Sequence, residues 1–266
     1  KTNARLASEF YLNAINVMKG AEGVSHYTGL SDKEAFNIEY WSLEEDKLQR
    51  LPKAKPLSGK IALITGGSGA IGKASAKKIL ENGCSVFITD INKKILDQTI
   101  SDLKKKYNPD NIEGCVMDVT NEKSVKEGMN NLLNNFGGLD ILISSVAINT
   151  EASFEDTSLE LWNKNFSVLS TGYFLAARES FKIMKYQNNG GSIIFVVSKN
   201  GMIPSKKVSS YCSAKAAELQ LSRCIALEGA DYNIRSNVIN PDAVIKDSNL
   251  WSNELRVKRS KTYKIY

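Results

Sequence analysis

The sequence predicts an α/β fold in which a doubly wound parallel sheet is flanked by helices, with a helical appendage before it. From Lys60 onward, short apolar runs alternate with amphipathic stretches. The runs are apolar throughout, as expected for strands buried on both faces, and the stretches between them suit crossover helices. The predicted strands are 61–64, 86–88, 115–117, 141–143, 193–197 and 236–239.

Size and composition indicate an ordinary globular chain. Its 266 residues, 42% hydrophobic and 24% charged, fit one large domain with an appendage. The net charge of +6 is small against 35 basic and 29 acidic side chains. Basic residues cluster only at 256–261, without interleaved aromatic residues, which favours a solvated surface over a nucleic-acid site. No apolar run approaches the roughly 18 residues of a membrane span, so no membrane is expected as a partner. For the reason just given, nucleic acid is not expected as a partner either.

Histidine and cysteine usage argues against a metal site. The chain has one histidine, His26, and its four cysteines show no Cys-x-x-Cys spacing. We expect buried free thiols rather than disulfides or zinc ligands. Nothing near Lys1 resembles a signal peptide, so the sequence is interpreted as a fragment of a cytoplasmic protein.

The first 56 residues are predicted to be a helical segment and a linker. Apolar residues recur at helical spacing between Thr2 and Lys19. A second helix is expected to open at Ser31, where Glu34 completes a capping box, and to run towards Leu51. The proline-rich stretch 52–56 ends it, so residues 57–266 are expected to form the α/β domain.

A glycine-rich turn, residues 65–72, follows the first predicted strand and precedes a predicted helix. Its sequence is Thr-Gly-Gly-Ser-Gly-Ala-Ile-Gly. Such a turn lets a pyrophosphate approach the N–H groups at the positive end of the helix dipole. A tight structural turn is the alternative, but the strand before it and the helix after it favour a nucleotide site in a Rossmann-type domain.

An acidic residue, Asp90, ends the second predicted strand 18 residues after Gly72. That spacing suits a carboxylate that accepts hydrogen bonds from the adenosine ribose. Because a carboxylate repels a 2′-phosphate, NAD is favoured over NADP, although Lys93 and Lys94 just beyond keep NADP open. A helix N-cap is the other reading of Asp90.

Three residues suggest catalysis. Tyr211 and Lys215 lie four apart in a predicted helix, Ser209 to Leu227, so they share one face. Ser198 precedes Tyr211 by 13 residues, at the end of a buried strand, and strand carboxyl ends are where open α/β sheets build their sites.

These motifs together resemble the short-chain dehydrogenase/reductase family over residues 57–245. The resemblance implies that Tyr211 is the acid/base, that Lys215 lowers its pKa and binds the nicotinamide ribose, and that Ser198 orients the substrate. It also implies homodimers or homotetramers and a small hydroxy or aldehyde substrate. The implied cofactor-binding residues are Gly66, Ser68, Gly69, Ala70, Ile71, Gly72, Asp90, Ile91, Asp118, Val119, Ser145, Val146, Tyr211, Lys215 and Pro241.

The chemistry itself calls for a tyrosine beside a lysine. A free phenol titrates near 10, so a base working near neutrality needs its pKa lowered by about three units, or about 4 kcal/mol. An ammonium about 4 Å away supplies roughly that amount at an effective dielectric of about 20.

Four positions depart from the family pattern. Ala70 replaces the middle glycine of the turn, and 144–147 reads Ser-Ser-Val-Ala where the family has Asn-Asn-Ala-Gly. Leu169 stands where the family places a relay asparagine, for which Asn165, one helical turn earlier, is a possible substitute. Asp242 replaces a glycine, and it either selects a polar substrate or faces solvent.

Residues 34–45 and 240–252 resemble a subgroup in which a rhamnulose-1-phosphate aldolase is fused to a short-chain dehydrogenase. This implies that 1–56 is the tail of an aldolase domain and that the dehydrogenase oxidises L-lactaldehyde to L-lactate in rhamnose catabolism. Alternatives are a generic secondary-alcohol or sugar dehydrogenase and a non-catalytic nucleotide-binding domain. The family adds a seventh strand and covering helices after the sixth strand, so the dehydrogenase domain is expected to be incomplete.

Overall fold

The computed structural model describes residues 2–50, 53–148, 150–244 and Val257. Leu51, Pro52, Trp251 and most of the basic segment 256–261 therefore lie outside the described residues. The chain divides into two compact units, Lys1–Lys55 and Pro56–Tyr266.

The first unit is helical. Its helices are α1 (Thr2–Val24), α2 (Asp32–Glu39) and α3 (Ser42–Arg50). The capping box at the start of α2 is confirmed: the Glu34 N–H donates to the Ser31 hydroxyl, and the Glu34 carboxylate accepts from the Ser31 N–H.

The prediction of a single helix from Ser31 to Leu51 is wrong, because the helix is interrupted at Tyr40 and Trp41. The Trp41 N–H turns back to the carbonyl of Ile38, and the Trp41 carbonyl accepts from the N–H groups of Glu44 and Glu45 to start α3. Two successive aromatic residues have modest helix propensity, and no glycine or proline marks the break.

The second unit contains a six-stranded, entirely parallel sheet in the order β3-β2-β1-β4-β5-β6, which confirms the predicted fold class. The strands are β1 (Ile61–Thr65), β2 (Ser85–Asp90), β3 (Ile112–Val116), β4 (Ile141–Ser144), β5 (Gly191–Val196) and β6 (Ile234–Ile239). Strand β3 begins three residues earlier than expected, because Ile112 pairs with Val86 although Glu113 and Gly114 interrupt the apolar run.

Helices cover both faces of this sheet and enclose two apolar clusters. They are α4 (Ala70–Glu81), α5 (Lys93–Lys104), α6 (Glu122–Phe136), α7 (Leu159–Asn165), α8 (Gly172–Gln187) and α9 (Ser209–Gly229), with a π-helical segment, Phe166–Thr171, between α7 and α8. All four cysteines are free thiols. Cys84 is buried as expected, but Cys224 is exposed because it lies on the outer side of α9.

Strand order fixes the position of the site. The central strand β1 pairs with β2 on one side and with β4 on the other, so the connections leave the sheet in opposite directions. A crevice opens at the carboxyl ends of strands at such a switch point. Among the described residues, no helix is long and apolar enough to cross a membrane.

Candidate nucleotide and catalytic site

A cleft of about 510 Å³ lies at the carboxyl ends of the strands, across the switch point between β1 and β4. Its size falls within the range of small-molecule and cofactor sites, about 300–1,000 Å³. The residues singled out from the sequence that line it are Gly66, Gly69, Ala70, Ile71, Gly72, Asp90, Ile91, Asp118, Val119, Ser145, Val146, Ser198, Tyr211 and Pro241.

Two of the predicted site residues do not line this cleft. Ser68 is buried behind the turn, where its N–H donates to Asp90 Oδ2 at 3.2 Å, so it bears on the cleft through that carboxylate. Lys215 is fully buried beneath the cleft, because its side chain points to Glu218 in the core.

Close backbone packing explains the glycines of the turn. Gly66 has φ +62°, and a Cβ there would lie 2.9 Å from the Cα of Val146. At Gly72, a Cβ would lie 2.5 Å from the carbonyl oxygen of Gly66. Helix α4 begins at Ala70, and the first N–H groups of a helix have no acceptor within it. The turn therefore presents bare backbone and N–H donors to the cleft, as a pyrophosphate requires.

The carboxylate of Asp90 is fixed by backbone donors at the end of β2. Oδ2 accepts from the Ser68 N–H at 3.2 Å, and Oδ1 accepts from the Asn92 N–H at 3.1 Å. The N-cap of α5 is Asn92, whose side chain accepts from the Ile95 N–H, so the N-cap reading of Asp90 is wrong. The Asp90 carboxylate is therefore held in a fixed position in the cleft lining.

Residues after β3 and β4 form another part of the cleft wall. Asp118 Oδ1 accepts from the N–H and the hydroxyl of Thr120, at 2.9 and 2.7 Å. The Ser145 hydroxyl donates to the Thr65 carbonyl at 2.7 Å, which fastens this wall to β1. Val146, where the family has a smaller residue, lines the cleft, and its backbone lies against Gly66.

The catalytic candidates Ser198 and Tyr211 meet in the cleft wall. Ser198 follows β5, Tyr211 lies in the first turn of α9, and both side chains line the cleft. Burial raises the pKa of Tyr211, the nearby Ser198 hydroxyl lowers it, and the charge of Glu218 raises it. The expectation that the pKa of Tyr211 is lowered is therefore wrong for the cleft as it stands.

Lys215 does not counter this shift. Its Nζ lies 5.9 Å from the Tyr211 ring centroid, on the same side of α9, but donates to Glu218 Oε2 at 3.0 Å and to the Val196 carbonyl at 3.2 Å. Burial lowers the pKa of Lys215 and raises that of Glu218 to about 8, so this lysine does not offset the burial of the phenol. Sequence reasoning missed Glu218, because a glutamate three residues after a lysine on a helix usually marks a solvated face.

Leu169, at the position of the family's relay asparagine, is fully buried within the π-helical segment. Asn165 is also buried, and its amide donates to Thr150 Oγ1 at 2.7 Å and Ser210 Oγ at 2.9 Å. It does not line the cleft, so its side chain does not take the place of the missing asparagine.

Asp242 lines the cleft and forms an ion pair with Lys199, the residue after Ser198. A second tyrosine missed from the sequence, Tyr173 of α8, donates to the carbonyls of Val196 at 2.8 Å and Val146 at 3.1 Å. Among the described residues, no cluster of His, Cys, Asp or Glu has the arrangement of a metal site.

A cleft at a sheet switch point, lined by a glycine-rich turn, a serine and a tyrosine, has the arrangement expected of a nicotinamide-dependent oxidoreductase of the α/β class. Residues 60–254 match the family model described as short chain dehydrogenase. The chain belongs to the short-chain dehydrogenase/reductase family, whose members use NAD or NADP. Family membership therefore disfavours a non-catalytic domain.

Named relatives agree with this assignment. The chain is 40% identical over 262 residues to YuxG of Bacillus subtilis, which is described as an uncharacterized oxidoreductase. The alignment covers 98% of this chain but only 38% of that protein. It is 33% identical to 2,3-dihydro-2,3-dihydroxybenzoate dehydrogenase of the same organism, over 76% of this chain and 77% of that one. A short-chain dehydrogenase/reductase from Mycobacterium marinum superimposes with a TM-score of 0.66 and 31% identity, over 70% of this chain and 75% of that chain.

The first unit has its own match. Residues 1–48 match the family model described as the second domain of class II aldolases.

Proposed function

We propose that this chain oxidises L-lactaldehyde to L-lactate with NAD, as one part of a protein that also contains an aldolase. The observation that carries the oxidoreductase part is the meeting of Tyr211 and Ser198 in the wall of the glycine-turn cleft. The match of residues 1–48 to a class II aldolase domain supports the substrate, because an aldolase releases an aldehyde. Residues 1–56 are accordingly the tail of the aldolase domain and a linker.

Asp90 supports NAD over NADP. Its carboxylate lines the cleft and is held by two N–H donors, so it cannot easily turn away from a 2′-phosphate. The bare turn at Gly66 and the start of α4 fit the pyrophosphate, and the residues implied to hold the cofactor keep those roles in this proposal.

In the proposed reaction, the cofactor, Tyr211 and Ser198 have different roles. Bound NAD supplies the hydride acceptor. The hydrate of an aldehyde carries two hydroxyls on one carbon, and Tyr211 removes the proton from one of them as that carbon loses hydride. Ser198 orients the oxygen through its hydroxyl. The products are the carboxylic acid, NADH and a proton, so atoms and electrons balance.

A polyol or another secondary alcohol is the second candidate. The Lys199–Asp242 ion pair beside Ser198 favours a substrate with several polar groups. Relatives include an NAD-dependent glycerol dehydrogenase of Listeria innocua, and an NAD-bound xylitol dehydrogenase superimposes on the chain with a TM-score of 0.66.

The test is NADH formation by the complete protein, with L-lactaldehyde, glycerol and xylitol as substrates. We expect turnover with L-lactaldehyde and NAD, and a loss of about 10²–10⁴-fold in Tyr211→Phe, the range for removal of a general acid/base. Equal rates in the two proteins would remove Tyr211 as the base. Faster turnover of glycerol or xylitol would favour the second candidate, and light scattering would test the expected homodimer or homotetramer.

A further inference from the structure

An acidic side chain, Asp242, lines the catalytic side of the cleft. Asp90 ends β2 and Asp118 follows β3, so both lie on the β2 side of the switch point. Asp242 instead follows β6, in the half of the sheet that carries Ser198 and Tyr211, and it lines the same cleft as they do. A molecule bound in the catalytic half of the cleft therefore shares that half with a carboxylate.

Backbone pairing fixes the place of Asp242. At the ends of β5 and β6, Val196 pairs with Ile239. Three residues further, the Lys199 N–H donates to the Pro241 carbonyl at 3.0 Å, so the same register sets Lys199 opposite Asp242. Neighbouring strands lie about 4.8 Å apart, so Asp242 is about one strand spacing from the residue that follows the catalytic serine.

The side chains of these two residues also meet. Lys199 and Asp242 form an ion pair, in which the lysine side chain is 37% and the aspartate side chain 43% exposed. Asp242 lines the cleft, whereas Lys199 does not, so the lysine holds the carboxylate from outside the cleft. A carboxylate offers about four lone-pair sites, so it can accept from this ammonium and from a second donor inside the cleft.

The charge of the lining limits what the cleft can bind. The described residues that line it include no lysine, arginine or histidine. Lys199 is bound to Asp242, and Lys215 is buried below the cleft with Glu218. The N–H groups of the glycine-rich turn, which suit a pyrophosphate, follow β1 rather than β5 or β6. A phosphate that enters the catalytic half would therefore lose hydration without gaining a cation, which is costly.

We propose that Asp242 is a specificity-determining residue, which selects uncharged substrates with a hydroxyl on the carbon next to the reacting one. Its carboxylate accepts a hydrogen bond from that hydroxyl, while Ser198 and Tyr211 bind the oxygen of the reacting carbon. The inference deepens the proposed function and rests on it, because the reaction must take place in this cleft. L-Lactaldehyde and glycerol both carry such a hydroxyl, whereas a phosphorylated aldehyde brings an anion for which the described lining offers no cation.

The first test measures binding without turnover. L-Lactamide and propanamide are both uncharged and differ only by the neighbouring hydroxyl. Each is titrated into the complete protein with NADH bound, and the NADH fluorescence is the signal. We expect L-lactamide to bind roughly 10–100-fold more tightly, the range for a hydrogen bond to a charged group. Equal affinities, or no detectable binding of L-lactamide, would overturn the proposal.

Asp242→Ala is the variant that removes the proposed acceptor, and Asp231→Ala, at an exposed aspartate outside the cleft, is its control. We expect the ratio of the two amide affinities to fall towards one in Asp242→Ala and to stay at the parent value in Asp231→Ala. A parent-like ratio in Asp242→Ala would overturn the proposal. Where that variant does not bind NADH, Asp242→Asn replaces it, and the ratio should fall in the same direction.

The second test measures turnover and concerns charge. Glyceraldehyde and glyceraldehyde 3-phosphate share a carbon skeleton and a neighbouring hydroxyl, and their kcat/KM values are compared in the complete protein with NAD. We expect the parent to favour glyceraldehyde by about tenfold or more. In Asp242→Ala this preference should shrink, because Lys199 loses its carboxylate partner and can turn to the phosphate.

The outcomes separate this inference from the proposed function. A parent enzyme that prefers glyceraldehyde 3-phosphate would overturn the selection of uncharged substrates. Failure of turnover with every aldehyde, while the amides bind in the expected ratio, would count against the proposed function alone.

Discussion

Gly72 is a position at which backbone atoms of the glycine-rich turn leave no room for a side chain. An added Cβ would lie 2.5 Å from the carbonyl oxygen of Gly66 and 2.6 Å from the Cα of Gly67. Both are backbone atoms, so no rotamer change relieves the contact. The turn has to move by at least about half an ångström, and overpacking of this kind costs about 1–3 kcal/mol.

We therefore expect Gly72→Ala to lower the free energy of unfolding by about 1–3 kcal/mol and to weaken NAD binding by about 5–150-fold. The helical gain of alanine over glycine, about 0.5–1 kcal/mol, opposes this loss but is smaller than most of that range. Urea unfolding measures the first quantity, and calorimetric titration with NAD measures the second.

Gly69→Ala is the matched control in the same turn. A Cβ at Gly69 meets only the Gly66 carbonyl oxygen, at 3.3 Å, and the backbone there has φ −75°, which alanine adopts freely. We expect a much smaller loss of stability. Parent-like unfolding and NAD binding in Gly72→Ala, or an equally severe effect in Gly69→Ala, would refute the reasoning from close packing.

Two further predictions concern charge. Asp90→Asn removes the charge that disfavours a 2′-phosphate but keeps a carbonyl oxygen that can accept from one N–H. The ratio of NADP to NAD affinity should therefore rise in calorimetric titrations. An unchanged ratio would show that Asp90 does not determine the choice of cofactor. Hydrogen bonds from Lys126 and Arg178 lower the pKa of Glu122 to about 2, so its contribution to stability is present above its unfolded pKa and is lost as pH falls through about 2. Glu122→Gln should melt below the parent at neutral pH, with the gap closing towards pH 2, whereas Glu127→Gln on the same helix should show little change.

The sequence was informative where local pattern and burial coincide. Continuous apolar runs predicted the sheet, and the strand, glycine turn and helix in succession predicted the wall that contains Gly66 and Gly72. The four-residue spacing of Tyr211 and Lys215 placed both on one side of α9.

Two kinds of feature were not predictable from the sequence, namely burial by elements distant along the chain and a local helix break without a breaker residue. The partner of Lys215 is a glutamate on its own helix, but only the packing of α8 and β5 makes that pair a buried one. The helix break at Tyr40 and Trp41 carries no glycine or proline, so propensity alone does not locate it. The direction of the pKa shift of Tyr211 follows from tertiary packing, because burial raises the pKa and the charge of Glu218 raises it as well.

The pairing of β1 with β4 separates the sheet into an early half and a late half along the chain. Ala62 pairs with Ile141, 79 positions later, whereas β1 reaches β2 after a single helix. Contacts over such separations form slowly. If a dinucleotide binds across β1 and β4 as proposed, it binds only the completed sheet, so at a hundredfold excess over its Kd it adds about 2.7 kcal/mol to the unfolding free energy. Cofactor supply would then govern how long the chain survives proteolysis as well as how fast it turns over.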